Sequence, residues 1–345
     1  MVDTSRRTVV LGSGALALSL PHTSDAQRPK MYDWLPSESA PRRFPTFLIK
    51  GTLRLADDTI SYVPDQRIAF NGWGEVGSTH VVSPLIKPVP KRLDIRWFAF
   101  TEDKFYEGSF DLPFESMQKM FDAGLAEGRL LPKPQPYDRV IVGMAPGGLV
   151  AVWMGASTEK VEVANYIARV VDLPWSSVTP NTTMPRAIYI QRRLTEVMSP
   201  EQYEQHLREG VPPGLFTEYH RRYRWNPYAS GKGTAISLRI VGFNGEDSFI
   251  SARGEAVPHA SRSVPTSIDF DWLPPGNSRG LRAVINFDET EVFAAFRKLS
   301  PGDSQRPLTL LLEQGCNTVS VSLRDEGHLL PLGKTQVKLY SRPGG

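Results

Sequence analysis

The chain has 345 residues, 40 of them basic and 37 acidic, for a formal net charge of +3. That balance is too mild to point to nucleic acid or to an anionic membrane surface, and the single cysteine, Cys316, excludes an internal disulfide and any cysteine-based zinc site. A hydrophobic fraction of 40% is a globular value, while 29 prolines and 28 glycines favour short strands and turns over long helices.

In chain order, Arg6 and Arg7 stand before a mildly apolar run that reaches Leu20, followed by Pro21 and small residues ending at Ala26. This is the pattern of a secretory signal, too short to span a bilayer. The arginine pair and the glycine-containing core also suit a twin-arginine signal, with an ordinary Sec signal as the alternative. Residues 1–26 are therefore expected to be removed on export, leaving a periplasmic chain that starts near Gln27. No cysteine follows the run to carry a lipid, and no later apolar stretch is long enough to cross a membrane.

Residues 27–156 read as a first α+β domain. Phe47–Leu55 and Thr59–Val63 alternate as strands around Asp57 and Asp58. Asn71–His80 is glycine-rich with one aromatic, Trp73. Leu93, Ile95 and Trp97 alternate with Asp94 and Arg96, predicting a strand; Thr101–Lys104 turns it, and Phe105–Leu112 returns. Pro113 suits a first helical turn, and Phe114, Met117, Met120 and Phe121 share one face of the helix that follows. Arg139–Met144 and Leu149–Met154 then form a hairpin around Pro146, Gly147 and Gly148.

Residues 157–230 read as a helical connecting block. Ser157 is placed to cap a helix through Val161, Ala164, Ile167 and Val171, and Ser199-Pro200-Glu201-Gln202 carries a capping box for a second. Tyr219–Trp225 is a basic and aromatic cluster, read as helical. Residues 231–345 return to the first pattern: Ile268, Phe270 and Trp272 alternate with Asp269 and Asp271, and Val292, Phe293 and Phe296 share a helical face. Setting Trp97 against Trp272 gives an offset of 175 that pairs Asp94 with Asp269 and Phe121 with Phe296 without a gap. The expectation is α+β: two β-rich lobes, each antiparallel strands plus a short amphipathic helix, related as a divergent tandem repeat.

Chemistry is sparse. Asn71–His80 lacks the spacing of either phosphate-binding glycine motif; Trp73, Glu75, Ser78 and His80 are candidate contacts, against a structural loop with Trp73 packed over the sheet. Arg221, Arg222, Tyr223 and Trp225 are candidate contacts for a protein partner, against arginines lying along aromatic surface. No nucleophile elbow stands in residues 27–345 and no metal-binding histidine spacing occurs, so no cofactor or metal is expected. The acid pairs Asp57-Asp58 and Glu102-Asp103 fall in turns, where solvated carboxylates are ordinary.

Tyr32-Asp33-Trp34, Ser39-Ala40-Pro41, Pro64-Asp65, Asn71-Gly72-Trp73-Gly74 and Gly77-Ser78-Thr79-His80 form one set of signature residues. With Leu93–Trp97, Glu102–Tyr106 and Gly108–Pro113, they resemble a family of exported Gram-negative proteins, many of them lipoproteins: the domain of unknown function numbered 2931. The missing anchor cysteine departs from the lipoprotein members. Such proteins resemble the periplasmic immunity partners of type VI secretion phospholipase effectors. The resemblance thus implies a non-enzymatic inhibitor whose partner is a secreted, lipase-like effector. Two alternatives stand beside it: a periplasmic module that binds a small molecule or envelope component through Asn71–His80, and a hydrolase with an unrecognised site.

Overall fold

The computed structural model describes residues 29–78, 84–125, 135–156, 159–180, 183–251, 257–276, 279–302 and 306–341. The expected signal segment lies outside these residues, as do Thr79, His80 and Ser157.

The strand–turn–strand–helix unit forms as its pattern dictates. Along Pro90–Ala99 the residues Leu93, Ile95 and Trp97 are buried while Asp94 and Arg96 face outward. Asp103 takes the left-handed φ of 52° that the turn needs, and Lys104–Asp111 returns antiparallel with Tyr106 opposite Trp97. Helix α1, Phe114–Ala123, follows Pro113 and turns Met117 and Phe121 into the core. Four more helices follow: α2 (Arg186–Thr195), α3 (Pro200–Glu209), α4 (Leu215–Tyr219) and α5 (Glu289–Leu299). The capping box of α3 is complete, with Gln202 N–H donating to Ser199 Oγ at 3.3 Å and Ser199 N–H to Gln202 Oε1 at 3.1 Å.

Three large sheets carry the molecule. A six-stranded sheet runs 169–171, 104–111, 90–99, 46–55, 60–62, with 67–69 also paired to 46–55. A nine-stranded sheet runs 35–39, 139–145, 149–156, 159–167, 247–251, 234–242, 265–273, 281–286, 336–341. A five-stranded sheet runs 260–263, 222–231, 308–314, 319–324, 329–331. The six-stranded sheet packs Leu48, Leu53, Leu93 and Trp97 onto Val140, Val142, Val150 and Val152 at one end of the nine-stranded sheet. The five-stranded sheet packs Trp225, Leu308, Leu310 and Leu312 onto Leu238, Ile268, Phe270 and Trp272 at the other, with α5 inserting Phe293 and Phe296. Two β-sandwich lobes thus share one sheet, and the α+β expectation holds. Helices α2 and α3 cover the outer face of the six-stranded sheet, where Phe98, Phe100 and Phe105 meet Leu194, Tyr189 and Tyr203.

The two lobes have the same topology. In each, an opening strand lies parallel to the first strand of the last hairpin, 35–39 beside 139–145 and 222–231 beside 308–314. The four strands 46–55, 60–62, 90–99 and 104–111 correspond in chain order and in sheet order to 234–242, 247–251, 265–273 and 281–286. The 175-residue offset joins Pro90 to Pro265 and Phe114 to Glu289, the first residues of matching strands and helices.

The helical block is smaller than its sequence pattern predicts. Glu159–Ile167 is a strand, paired with Leu149–Ala156 along its whole length. Val161 and Val163 pack on the core while Glu162 turns to the opposite face of the sheet, where it is buried against His220. Their spacing satisfies both periods, and the β-branched residues beside an adjacent hairpin edge decide for the strand. Arg222–Gly231 is likewise a strand of the second lobe, so among the described residues α-helix is confined here to α2, α3 and α4, with one 3-10 turn at Trp175–Ser177.

Candidate functional site

The lobes meet on the outer face of the nine-stranded sheet, where one backbone pair, Lys160 with Asp247, joins strand 159–167 to strand 247–251. A groove of about 470 Å³ opens over this join. Strand alternation supplies its floor: Arg139, Ile141 and Lys160 from the first lobe, Arg239, Asp247, Asp269, Asp271 and Arg282 from the second. Their inward neighbours Val140, Leu238, Ile268 and Phe270 are core.

The floor is a ladder of paired charges. Arg282 grips Asp271 with two hydrogen bonds, Nε to Oδ1 at 2.7 Å and Nη2 to Oδ2 at 2.9 Å, and Ser237 Oγ donates to the same carboxylate at 3.1 Å. Arg239 Nε donates to Asp247 Oδ1 at 3.0 Å. Both carboxylates are buried and both guanidiniums are half exposed, so the arginines cannot leave without stranding a buried charge. Each bound carboxylate also pushes its arginine's pKa above the ordinary value. In the first lobe the matching cross-strand pair has reversed polarity: Arg96 stands where Asp271 does, and Glu107 where Arg282 does.

The groove's rim is the glycine-rich segment. Glu75 reaches Lys160 Nζ at 2.6 Å, and Val76 stands beside it. Trp73 lies half-buried beneath the rim, edge-on to Trp153 at 4.9 Å and near Phe216 and His220, both at 5.7 Å. Gly74, at φ 73°, rests on Gly245 of the second lobe, and a Cβ there would come within 2.7 Å of the Gly245 carbonyl oxygen. Gly74→Ala combines a left-handed φ with that overlap and is expected to cost about 1–3 kcal/mol, read as a lower urea midpoint.

Beside the groove, a buried polar knot ties the lobes together. Glu162 lies 2.6 Å from His220 Nδ1 and accepts from Asn244 Nδ2 at 2.7 Å. Asn244 in turn accepts from Ser263 Oγ at 2.7 Å and, through its carbonyl, from Trp153 Nε1 at 3.0 Å. Burial pushes the Glu162 carboxyl up, but hydrogen bonds from His220, Asn165 and Asn244 outweigh it and leave the pKa below its ordinary value. Glu162 and His220 form the geometry of a base and its orienting acid, yet neither lines the groove. Their shared role is to join strand 159–167 to the start of the second lobe.

The candidate contacts separate on this map. Trp73 and Glu75 belong to the groove's support and rim. Ser78 is tied inward, its N–H and hydroxyl donating to Glu38 Oε1 at 3.0 and 2.9 Å while Arg67 donates to its oxygen. His80 lies outside the described residues. Tyr223 and Trp225 are core residues, at 1% and 0% exposure, which corrects the reading of an exposed aromatic cluster. The run Arg222-Tyr223-Arg224-Trp225 alternates with period two and turns its arginines out and its aromatics in. Arg222 pairs with Glu246 at 3.1 Å, and Arg221 lies over the Tyr223 ring at 5.2 Å and donates to the Gly302 carbonyl. Glu102 is a clamp, accepting from Tyr106 Oη and from Gly147 N–H, both at 3.0 Å, and Asp103 holds Arg186 at 2.7 Å. The groove's own charges alternate visibly in their strands, but the pairing of Lys160 with Asp247, far apart in the chain, has no mark in the sequence.

Among the described residues, no group of three or more His, Cys, Asp or Glu side chains is placed to hold a metal, and no helix is long and apolar enough to cross a membrane. No curated protein and no solved structure matches the chain. The family of proteins of unknown function DUF2931 matches residues 21–214, which take in the first lobe with α2 and α3 and stop before the second-lobe strands. By that match, the chain belongs to the DUF2931 family.

Proposed function

We propose that the protein is an exported, non-enzymatic inhibitor that seats a secreted, lipase-like effector across the groove between its lobes. The observation that carries this reading is the charge ladder, held in place before any partner arrives by strands of both lobes. Fixed charges of this kind cost little to organise on binding and select partners by complementary potential. A standard interface of about 1,600 Å² would extend from the groove over the adjoining surfaces of both lobes. The effector and the periplasmic compartment come from the resemblance to immunity partners.

The test is protection of cells whose periplasm receives a lipase-like effector, with co-purification of the two proteins. Glu75→Lys removes the Lys160 pair and reverses an exposed rim charge. It is expected to weaken effector binding at least tenfold; because it also sets a like charge beside Lys160, which is 11% exposed, its urea midpoint is measured alongside and Glu75→Gln serves as the milder variant. Undiminished binding of the Glu75→Lys variant would move the interface away from the groove. Equal protection by a chain lacking residues 1–26 would overturn the compartment.

The groove's volume, about 470 Å³, favours a second reading. It falls within the ~300–1,000 Å³ range of small-molecule sites. On that reading Trp73→Ala, which removes the support of the rim, abolishes ligand binding, Trp73→Phe retains most of it, and the protein captures no effector.

A further inference from the structure

The groove's charges do not cancel one another. Asp247 and Asp271 are each held by a guanidinium, Glu75 is held by Lys160, and Glu159 is buried and engaged. Asp269 differs. Its side chain is 28% exposed, and Arg239 Nη1 lies 3.9 Å away, beyond hydrogen-bond length, while the same guanidinium is committed to Asp247. No donor reaches the Asp269 carboxylate among the described residues.

The first lobe shows what this position looks like when the chain satisfies it. Asp94, which matches Asp269 in strand and register, accepts from the hydroxyl of Ser109 directly across the strand pair, with Arg92 Nε at 3.5 Å. At the matching places of the second lobe stand Val284, directly opposite Asp269, and Ser267. Valine offers no donor and Ser267 makes no hydrogen bond to Asp269, whereas Asp94, in a smaller hollow of about 220 Å³, has its donors supplied by its own lobe. The lining carries five carboxylates against four cationic side chains, so the groove's excess charge is negative and favours a cation over an anion. A cation meets an acceptor with unused lone pairs, and Phe249 and Ile141 offer apolar wall for a methylene stem.

We infer that the groove takes a lysine or arginine side chain of its partner, with the cationic head on Asp269. This rests on the reading of the groove as the partner's seat. The probe is N-acetyl-arginine amide, titrated into the chain that begins at Gln27 and followed by NMR shifts. Its neutral isostere, N-acetyl-citrulline amide, serves as the control. Saturable arginine binding is expected, at least tenfold weaker for the citrulline compound, at least tenfold weaker in Asp269→Asn, and unchanged in Asp94→Asn. Asp269 makes no hydrogen bond here, so the urea midpoint of its variant should match the parent and serves as the folding control. No arginine binding, equal binding of citrulline, or equal binding by Asp269→Asn would overturn the site. Effector capture is read separately: capture that survives Asp269→Asn sinks this inference and leaves the inhibitor reading standing. Arginine binding without effector capture does the reverse, leaving a site for small guanidinium or ammonium ligands.

Discussion

Trp272→Ala is expected to lower the unfolding free energy by about 3–5 kcal/mol, and Trp97→Ala by a similar amount. Both indoles are fully buried at matching positions of the two lobes, Trp97 stacked on Tyr106 at 5.2 Å and Trp272 on Phe270 at 5.3 Å. Neither indole N–H finds a hydrogen-bond partner among the described residues. The loss is therefore one of packing: transferred apolar surface plus the cavity left behind. Phenylalanine at either place keeps most of the ring contact and is expected to cost less than half as much. Because one sheet runs through both lobes, each variant should shift a single urea transition seen alike by circular dichroism and by tryptophan fluorescence. Two separate transitions, with only one moved by each substitution, would show that the lobes unfold independently.

The second large effect belongs to Glu162. Glu162→Ala removes the acceptor of His220, Asn165 and Asn244 in a buried setting and is expected to cost about 2–4 kcal/mol. The same site should give the protein an acid limit. The folded carboxyl titrates below its ordinary value, so its contribution is fully present above the unfolded pKa of ~4.3 and is lost as pH falls through the folded value. The stability gap between the parent and Glu162→Gln should accordingly be widest near neutrality and narrow below about pH 4. Urea unfolding at several pH values measures it; a gap that stays constant to pH 3 would mean that the carboxylate's charge contributes nothing.

Local pattern carried much of the fold. Alternation at Leu93–Trp97, the proline before α1, the glycine turn at 147–148 and the capping box at Ser199 each rest on contacts within a few residues, and each formed as its pattern dictates. The failures lie where two periods fit one stretch. Val161, Ala164 and Ile167 suit a helix by spacing, Val161, Val163 and Ile167 suit a strand by branching, and the edge offered by Leu149–Ala156 settles the matter. The arginines and aromatics of 222–225 are neighbours in the sequence, whereas strand geometry sends them to opposite faces. Of the candidate site, only the rim was legible, because glycine density around Trp73 marks a close backbone approach in any fold. The ladder depends on strand 159–167 meeting strand 247–251, and the Glu162–His220 pair joins residues 58 apart; neither leaves a local trace.

The shared sheet also has a consequence for how the molecule is made. Until strand 247–251 has been synthesised, strand 159–167 is an open sheet edge, and Ile167 on it remains 60% exposed even in the finished protein. A chain that stopped where the family match stops, at residue 214, would present that edge to any neighbour, with Glu162 lacking both His220 and Asn244. The second lobe caps one end of that edge, at Lys160, and supplies the partners that Glu162 needs, so the first lobe is completed only when the second has been made.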